Sequence, residues 1–240
     1  VDSLCPYASV QEVDSAEQAG RAAHVVWGAM AAPRRAAVIF KFRELLMQNT
    51  DKLAEIVGRE HGKTIEDAKG SIQRGLDVTE FACGIPHLLK GELSTNVGGG
   101  IDTYSMREAV GVVCGITPFN FPAMVPLWML PNAVACGNTF VLKPSERDPS
   151  APRLVVELAQ EAGFPPGVVN LVNGDKVAVD RLLEHPDVAA LSFVGATPVA
   201  RHVYTTGTTY SKRVQALGGA KNHMVVLPDA DLDLAADAAV

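Results

Sequence analysis

The chain is poor in the residue patterns that announce the commonest chemistries. Its four cysteines (Cys5, Cys83, Cys114 and Cys136) show no C-x-x-C spacing and no secretory context, which excludes a disulfide framework and predicts reduced, mostly buried thiols in a reducing compartment. The six histidines (His24, His61, His87, His185, His202 and His223) are scattered, with no H-E-x-x-H and no close pair, so no metal is expected. Asp229, Asp231 and Asp233 mimic the start of a calcium loop, but Leu234 stands where that loop needs glycine and Val240 where it needs glutamate. They read instead as acids near a helix N-terminus. Basic clusters are absent beyond pairs such as Arg34-Arg35, and a net charge of −6 argues against a nucleic-acid partner. The N-terminus, Val1-Asp2-Ser3-Leu4-Cys5, has no initiator Met, no basic region and no apolar signal core. It reads as a start in mid-domain, and Val240 ends inside an alanine-rich helical pattern, so truncation at both ends is expected. No membrane partner is expected either. The apolar stretch 119–142 is interrupted by Pro122, Pro126 and Pro131 and by Asn120, Asn132 and Asn138, which suits a buried, proline-shaped helix followed by a core strand.

What is present is ample apolar mass: 48% hydrophobic against 20% charged residues, enough for a sizeable core. The first ninety residues read as helices over 12–30, 33–48, 51–60 and 65–89, with Pro33 suited to a first turn and Thr64 to an N-cap. Residues 91–107 are polar and glycine-rich and read as a protruding β excursion. From there the pattern alternates. Strands at 110–116, 138–142, 168–172, 188–194 and 213–217 are spaced by helices at 123–135, 151–162, 175–184 and 198–205. Apolar strands separated by helices of this length imply βαβ units, hence an α/β fold with a doubly wound, Rossmann-like parallel sheet covered on both faces. A further strand at 224–227 and a helix at 229–240 are expected to begin something new.

In such a sheet, ligands bind in the crevice outside the carboxyl ends of the strands. Two segments fall there. The run Gly115-Ile116-Thr117-Pro118-Phe119-Asn120-Phe121-Pro122 puts a side-chain amide beyond the first strand, able to donate to a developing oxyanion, although Asn120 also suits a plain turn. Leu142-Lys143-Pro144-Ser145-Glu146-Arg147 puts a lysine and an acid beyond the second. Packing explains Lys143 poorly, whereas Glu146 and Arg147 also suit a surface pair. Gly195-Ala196-Thr197-Pro198 opens a helix whose free N–H groups suit a pyrophosphate, though the G-x-G-x-x-G fingerprint is missing. Arg74 reads either as a carboxylate fork or as an exposed helix charge. Cys114 and Cys136 lie in apolar segments without a neighbouring His or Lys and read as core filler.

Taken together, these segments resemble the aldehyde dehydrogenase superfamily over almost the whole chain. Gly115–Pro122 is similar to its oxyanion-asparagine motif, Leu142–Glu146 to its cofactor-lysine motif, Phe193–Thr197 to its cofactor-helix motif, and Leu217–Asn222 to the motif that opens its catalytic domain. The strings Phe81–Glu92 and Gly218–His223 resemble its CoA-acylating, methylmalonate-semialdehyde dehydrogenase branch. The resemblance implies that Asn120 is catalytic, donating to the oxyanion. It implies that Thr117, Phe119, Lys143, Glu146, Arg147, Ala196 and Gly218 bind NAD, and that Arg74 binds the carboxylate of a small semialdehyde. CoA is implied as co-substrate, and a homodimer or homotetramer as the assembly. Residues 1–90 and 108–217 would be the NAD-binding domain, 91–107 part of the oligomerisation element, and 218–240 the start of an incomplete catalytic domain. The compartment would be the cytoplasm, or the mitochondrial matrix in a eukaryote.

Two departures from the family pattern bear on mechanism. No acid lies between Ser211 and Asn222, where hydrolytic members carry a glutamate as base for the deacylating water. Without it a thioester should pass to a thiolate such as CoA more readily than to water. The family's nucleophilic cysteine is expected just beyond Val240. A stand-alone nucleotide-binding fragment without activity and a hydrolytic semialdehyde dehydrogenase remain alternatives. NADP is disfavoured by Glu146, which would accept ribose hydroxyls and repel a 2′-phosphate.

Overall fold

The computed structural model describes residues 5–239; the expectations attached to residues 1–4 and 240 lie outside the described residues. Helix α1 (Val10–Ala29) opens with a capping box, in which Ser9 Oγ accepts from the Glu12 N–H and the Glu12 carboxylate accepts from the Ser9 N–H. Helix α2 (Ala32–Gln48) carries Pro33 in its first turn, and α3 (Thr50–His61) stops at Gly62, whose φ of 90° suits glycine. Helix α4 (Ile65–Cys83) is capped by Thr64, as its sequence predicts. The single helix expected over 65–89 is instead broken. Gly84 ends α4, and Pro86, which has no N–H to give the preceding turn, sits in the first turn of a separate short helix, α5 (Ile85–Leu88).

Residues 93–104 form an antiparallel hairpin of β1 (Leu93–Gly98) and β2 (Ile101–Tyr104). Leu93, Val97, Ile101 and Tyr104 are all exposed on it, although a two-stranded ribbon is marginal alone. The alternating half follows: β3 (Val112–Ile116), α6 (Met124–Ala135), β4 (Thr139–Lys143), α7 (Ser150–Ala162), β5 (Val169–Leu171), α8 (Lys176–Glu184), β6 (Val188–Val194), α9 (Thr197–Thr209) and β7 (Arg213–Leu217). The five strands β3 to β7 are parallel, in the order β5-β4-β3-β6-β7. Helices α2, α3, α4, α6 and α7 cover one face, over Val113, Phe140 and Leu142. Helices α1, α8 and α9 cover the other, over Val112, Cys114, Ile116 and Val141. Strands β3 and β4 are buried at every residue, as continuous apolar runs require.

Three expectations need correction. Strand β3 starts at Val112 rather than Val110, because the Asn138 side-chain oxygen accepts from the N–H groups of Val110 and Gly111 at 2.8 and 3.2 Å and draws them out of the ladder. Strand β7 is not apolar throughout. It is a sheet edge, and it alternates, exposing Arg213, Gln215 and Leu217. Residues 224–227 are extended but form no strand: Met224, Val225, Val226 and Leu227 are exposed, and no described strand lies alongside to complete their hydrogen bonds. Beyond them, Asp231 accepts from the N–H groups of Asp233 and Leu234 at the start of α10 (Leu232–Ala239). The apolar stretch 119–142 resolves into the almost wholly buried α6 and into β4. Among the described residues no helix is long and apolar enough to cross a membrane.

Candidate active site

The strand order creates the site. From β3 the chain crosses to β4 on one side, and from β5 it returns to β6 on the other, so the carboxyl ends of β3 and β6 flank a topological switch point. Register keeps those ends level, since Ile116 is opposite both Lys143 and Phe193. The Thr117 N–H donates to the Lys143 carbonyl at 3.1 Å and ties the two loops together. The cleft at this point has a volume of about 570 Å³, and Thr117, Phe119, Lys143, Glu146, Arg147 and Ala196 all line it.

The polar groups of this cleft are under-supplied with partners from the chain itself. Thr117 is buried, and its Oγ1 has no hydrogen-bond partner among the described residues. Lys143 is only 5% exposed, yet its Nζ meets a single carboxylate, Glu146 Oε2, at 3.3 Å. The Arg147 guanidinium lies 4.7 Å from the centre of the Phe119 ring, on which His61 also stacks, so Arg147 and Glu146 do not form the surface pair their adjacency allowed. Across the cleft, α9 follows the N-cap Ala196, whose methyl side chain cannot accept a hydrogen bond, and Pro198 in the first turn has no N–H to satisfy. The remaining first-turn N–H groups, with the positive end of the helix dipole, suit an anion. Val179 and Val199 add apolar wall. An orphaned hydroxyl, a lysine–glutamate pair and an uncapped helix N-terminus together fit a dinucleotide: the pair for ribose hydroxyls, the helix for the pyrophosphate.

Sequence reasoning missed the outer wall, where Asp180 on α8 pairs with Lys176 one turn earlier and accepts from His202 Nε2 on α9 at 2.9 Å. The four-residue spacing of Lys176 and Asp180 is the local signal that was available.

Three predicted site residues lie outside the cleft wall. Asn120 is exposed, one residue beyond Phe119. Gly218 packs on the start of α9. A Cβ there would lie 2.9 Å from Thr197 Oγ1, which also accepts from the Gly219 N–H, so the small residue lets the chain approach its own helix. Arg74, on α4, places its guanidinium 5.6 Å from the Phe121 ring, the residue after Asn120. Lys63 Nζ lies 4.4 Å from the same ring and 2.8 Å from Asp67, a contact the sequence did not suggest because Lys63 and Phe121 are far apart along the chain.

The described cysteines do not have the surroundings of a nucleophile. Burial pushes the thiols of Cys83, Cys114 and Cys136 up, and for Cys114 the neighbouring Glu17 adds to the effect. Cys114 donates to Glu17 Oε1 at 3.3 Å, and burial pushes the Glu17 carboxyl up to about 7.

A doubly wound sheet with an uncapped helix start and a lysine–acid pair at its switch point has the architecture of a dinucleotide-binding domain. The aldehyde dehydrogenase family matches residues 3–240, and the chain belongs to that family. Its fold corresponds to the NAD-binding domain of those enzymes. It is 56% identical over 233 residues to a malonate-semialdehyde dehydrogenase of Pseudomonas aeruginosa, covering 97% of this chain and 47% of that protein. A structure of a protein from Sinorhizobium meliloti 1021, named a methylmalonate-semialdehyde dehydrogenase and complexed with NAD, superposes with a TM-score of 0.94 at 57% identity, over 97% of this chain and 48% of the other. A methylmalonate-semialdehyde dehydrogenase of Oceanimonas doudoroffii gives a TM-score of 0.93 at 55% identity, over 96% and 47%. The chain thus spans about half the length of the relatives it matches.

Proposed function

We propose that this chain is the cofactor-binding part of an NAD-dependent dehydrogenase that oxidises malonate or methylmalonate semialdehyde and passes the acyl group to CoA. The observation that carries the reading is the switch-point cleft, in which a buried Lys143 with one carboxylate partner faces the uncapped start of α9. NAD, when bound, supplies the hydride acceptor. Lys143 and Glu146 hold the adenosine ribose, Thr117 and Phe119 border the cofactor's path, and Arg147 braces that path by stacking on Phe119. The first-turn N–H groups after Ala196 would take the pyrophosphate, and Gly218, which seats the following segment against α9, would serve the nicotinamide end.

Asn120 does the chemical work contributed by this chain. Its side-chain amide donates to the aldehyde oxygen as a thiolate adds to the carbonyl carbon, and it stabilises the oxyanion until the charge collapses. Arg74 takes the acid end of the substrate, one ring away at Phe121. Transfer to CoA rather than water is supported by the lack of any carboxylate in residues 211–222, since water needs a base and a thiolate does not. In the assembled enzyme the exposed hairpin 91–107 belongs to the oligomerisation element of a homodimer or homotetramer, and 218–240 opens the catalytic domain.

The test is NADH formation from malonate semialdehyde or propanal by the complete gene product, with and without CoA. Turnover that requires CoA supports the acylating reading. Equal turnover without CoA replaces it with the hydrolytic one, and no NADH under either condition leaves only nucleotide binding.

A further inference from the structure

Arg74 does not stand alone beside Phe121. Lys63 leaves the turn after Gly62 and runs inward, so that its side chain is only 12% exposed and its ammonium sits 4.4 Å from the ring centre. There it meets Asp67 at 2.8 Å. Asp67 and Arg74 lie seven residues apart on α4, a spacing that puts them on one face of the helix. The Asp67 carboxyl is held below its ordinary range chiefly by Lys63, with Arg74 and His61 contributing. Lys63 thus joins Asp67, its ion-pair partner, to the Phe121 ring that Arg74 also faces, a group of two cations and one carboxylate. Its formal charge is +1, which matches one incoming carboxylate. Without Lys63 the formal charge falls to zero, and the Asp67 carboxylate is left without its ion-pair partner on the helix face that carries Arg74.

We infer that Lys63 is a positioning residue that neutralises Asp67 and so keeps Arg74 available to the carboxylate of the semialdehyde. This rests on the semialdehyde dehydrogenase reading above. The placement is suited to such a substrate: the ring shared by Lys63 and Arg74 belongs to the residue after Asn120, and in malonate semialdehyde a single methylene separates the carboxylate from the carbonyl.

The experiment compares KM and kcat of the complete gene product for malonate semialdehyde and for propanal, which has no carboxylate. Lys63→Met is expected to raise KM for the semialdehyde about tenfold, as loss of a charge-assisted contact does, with kcat and propanal kinetics little changed. Asp67→Asn alone, which takes the formal charge to +2, is expected to lower that KM. The double variant Lys63→Met/Asp67→Asn, which restores +1, is expected to return KM to within about threefold of the parent value, an interaction that a purely structural role would not produce. Equal losses on both aldehydes, or no rescue in the double variant, overturns the inference. A parent enzyme that oxidises neither aldehyde overturns the reading beneath it, a result distinguishable from failure of the charge-setting role.

Discussion

Lys143 and Lys212 are nearly equally buried, at 5% and 6% exposure, yet the chain treats them differently. Lys212 precedes β7 at the amino end of the sheet, where its ammonium donates to the backbone carbonyls of His185 and Val188. Burial lowers its pKa, opposed by the nearby Cys114 and Glu17. Lys143 stands at the carboxyl end of β4 with one carboxylate at 3.3 Å and a cleft in front of it. A buried ammonium without partners is costly, so a lysine supplied with carbonyls by its own fold is a structural element. One left short of partners beside a cleft is placed for a ligand. The same contrast separates Thr117, whose hydroxyl is orphaned in the cleft wall, from Thr79, whose hydroxyl is spent on the Gly75 carbonyl within α4.

By that contrast, substitutions at the carboxyl ends alter chemistry and spare stability, and those at the buried amino-end cluster do the reverse. The largest effect is expected at Asn120. In Asn120→Ala, steady-state kinetics should show kcat reduced by roughly 10²–10³, the usual worth of one oxyanion donor, with an unchanged melting temperature. A retained kcat would remove Asn120 from the mechanism. Next is Lys212→Met, which strands two carbonyls and should cost about 1–3 kcal/mol in denaturant unfolding while leaving NAD affinity intact.

Glu17 provides a pH-dependent version of the same comparison. Its folded-state pKa is raised from 4.5 to about 7, so between those values the folded chain holds a proton that the unfolded chain releases. Its contribution is therefore fully present below pH about 4.5 and is lost as pH rises toward 7. Glu17→Gln should remove that decline. The stability of the variant relative to the parent should increase from pH 5 to pH 8, by about 2–3 kcal/mol. A pH-independent difference would contradict the buried-carboxyl assignment. The smallest effect is expected at the cleft rim, where Glu146→Gln should narrow the preference for NAD over NADP by a few-fold in kcat/KM, through loss of repulsion toward a 2′-phosphate.

Much of this was legible in the sequence because β3 and β4 are buried on both faces. The largely apolar runs expected at 110–116 and 138–142 mark central strands, and the amide and lysine placed just beyond them stand out against that background. The features that escaped depend on partners distant in the chain. Met224–Leu227 has the composition of a strand, but a strand exists only when a neighbour completes its ladder. The break at Gly84 depends on what Pro86 withholds from the preceding turn, a local cue outweighed by the helical pattern around it. Lys63 meets Phe121 only because α4 packs against the segment that opens α6, and nothing in the local sequence of either residue reports that contact.

The most direct test of the central claim, that the switch-point cleft holds the dinucleotide, is NAD affinity measured by calorimetry for Lys143→Met and Lys212→Met side by side in the complete gene product. The account predicts that Lys143→Met weakens NAD binding about tenfold or more with little change in melting temperature, and that Lys212→Met lowers the melting temperature with little change in affinity. Equal NAD affinity in the Lys143 variant and the parent enzyme would contradict it.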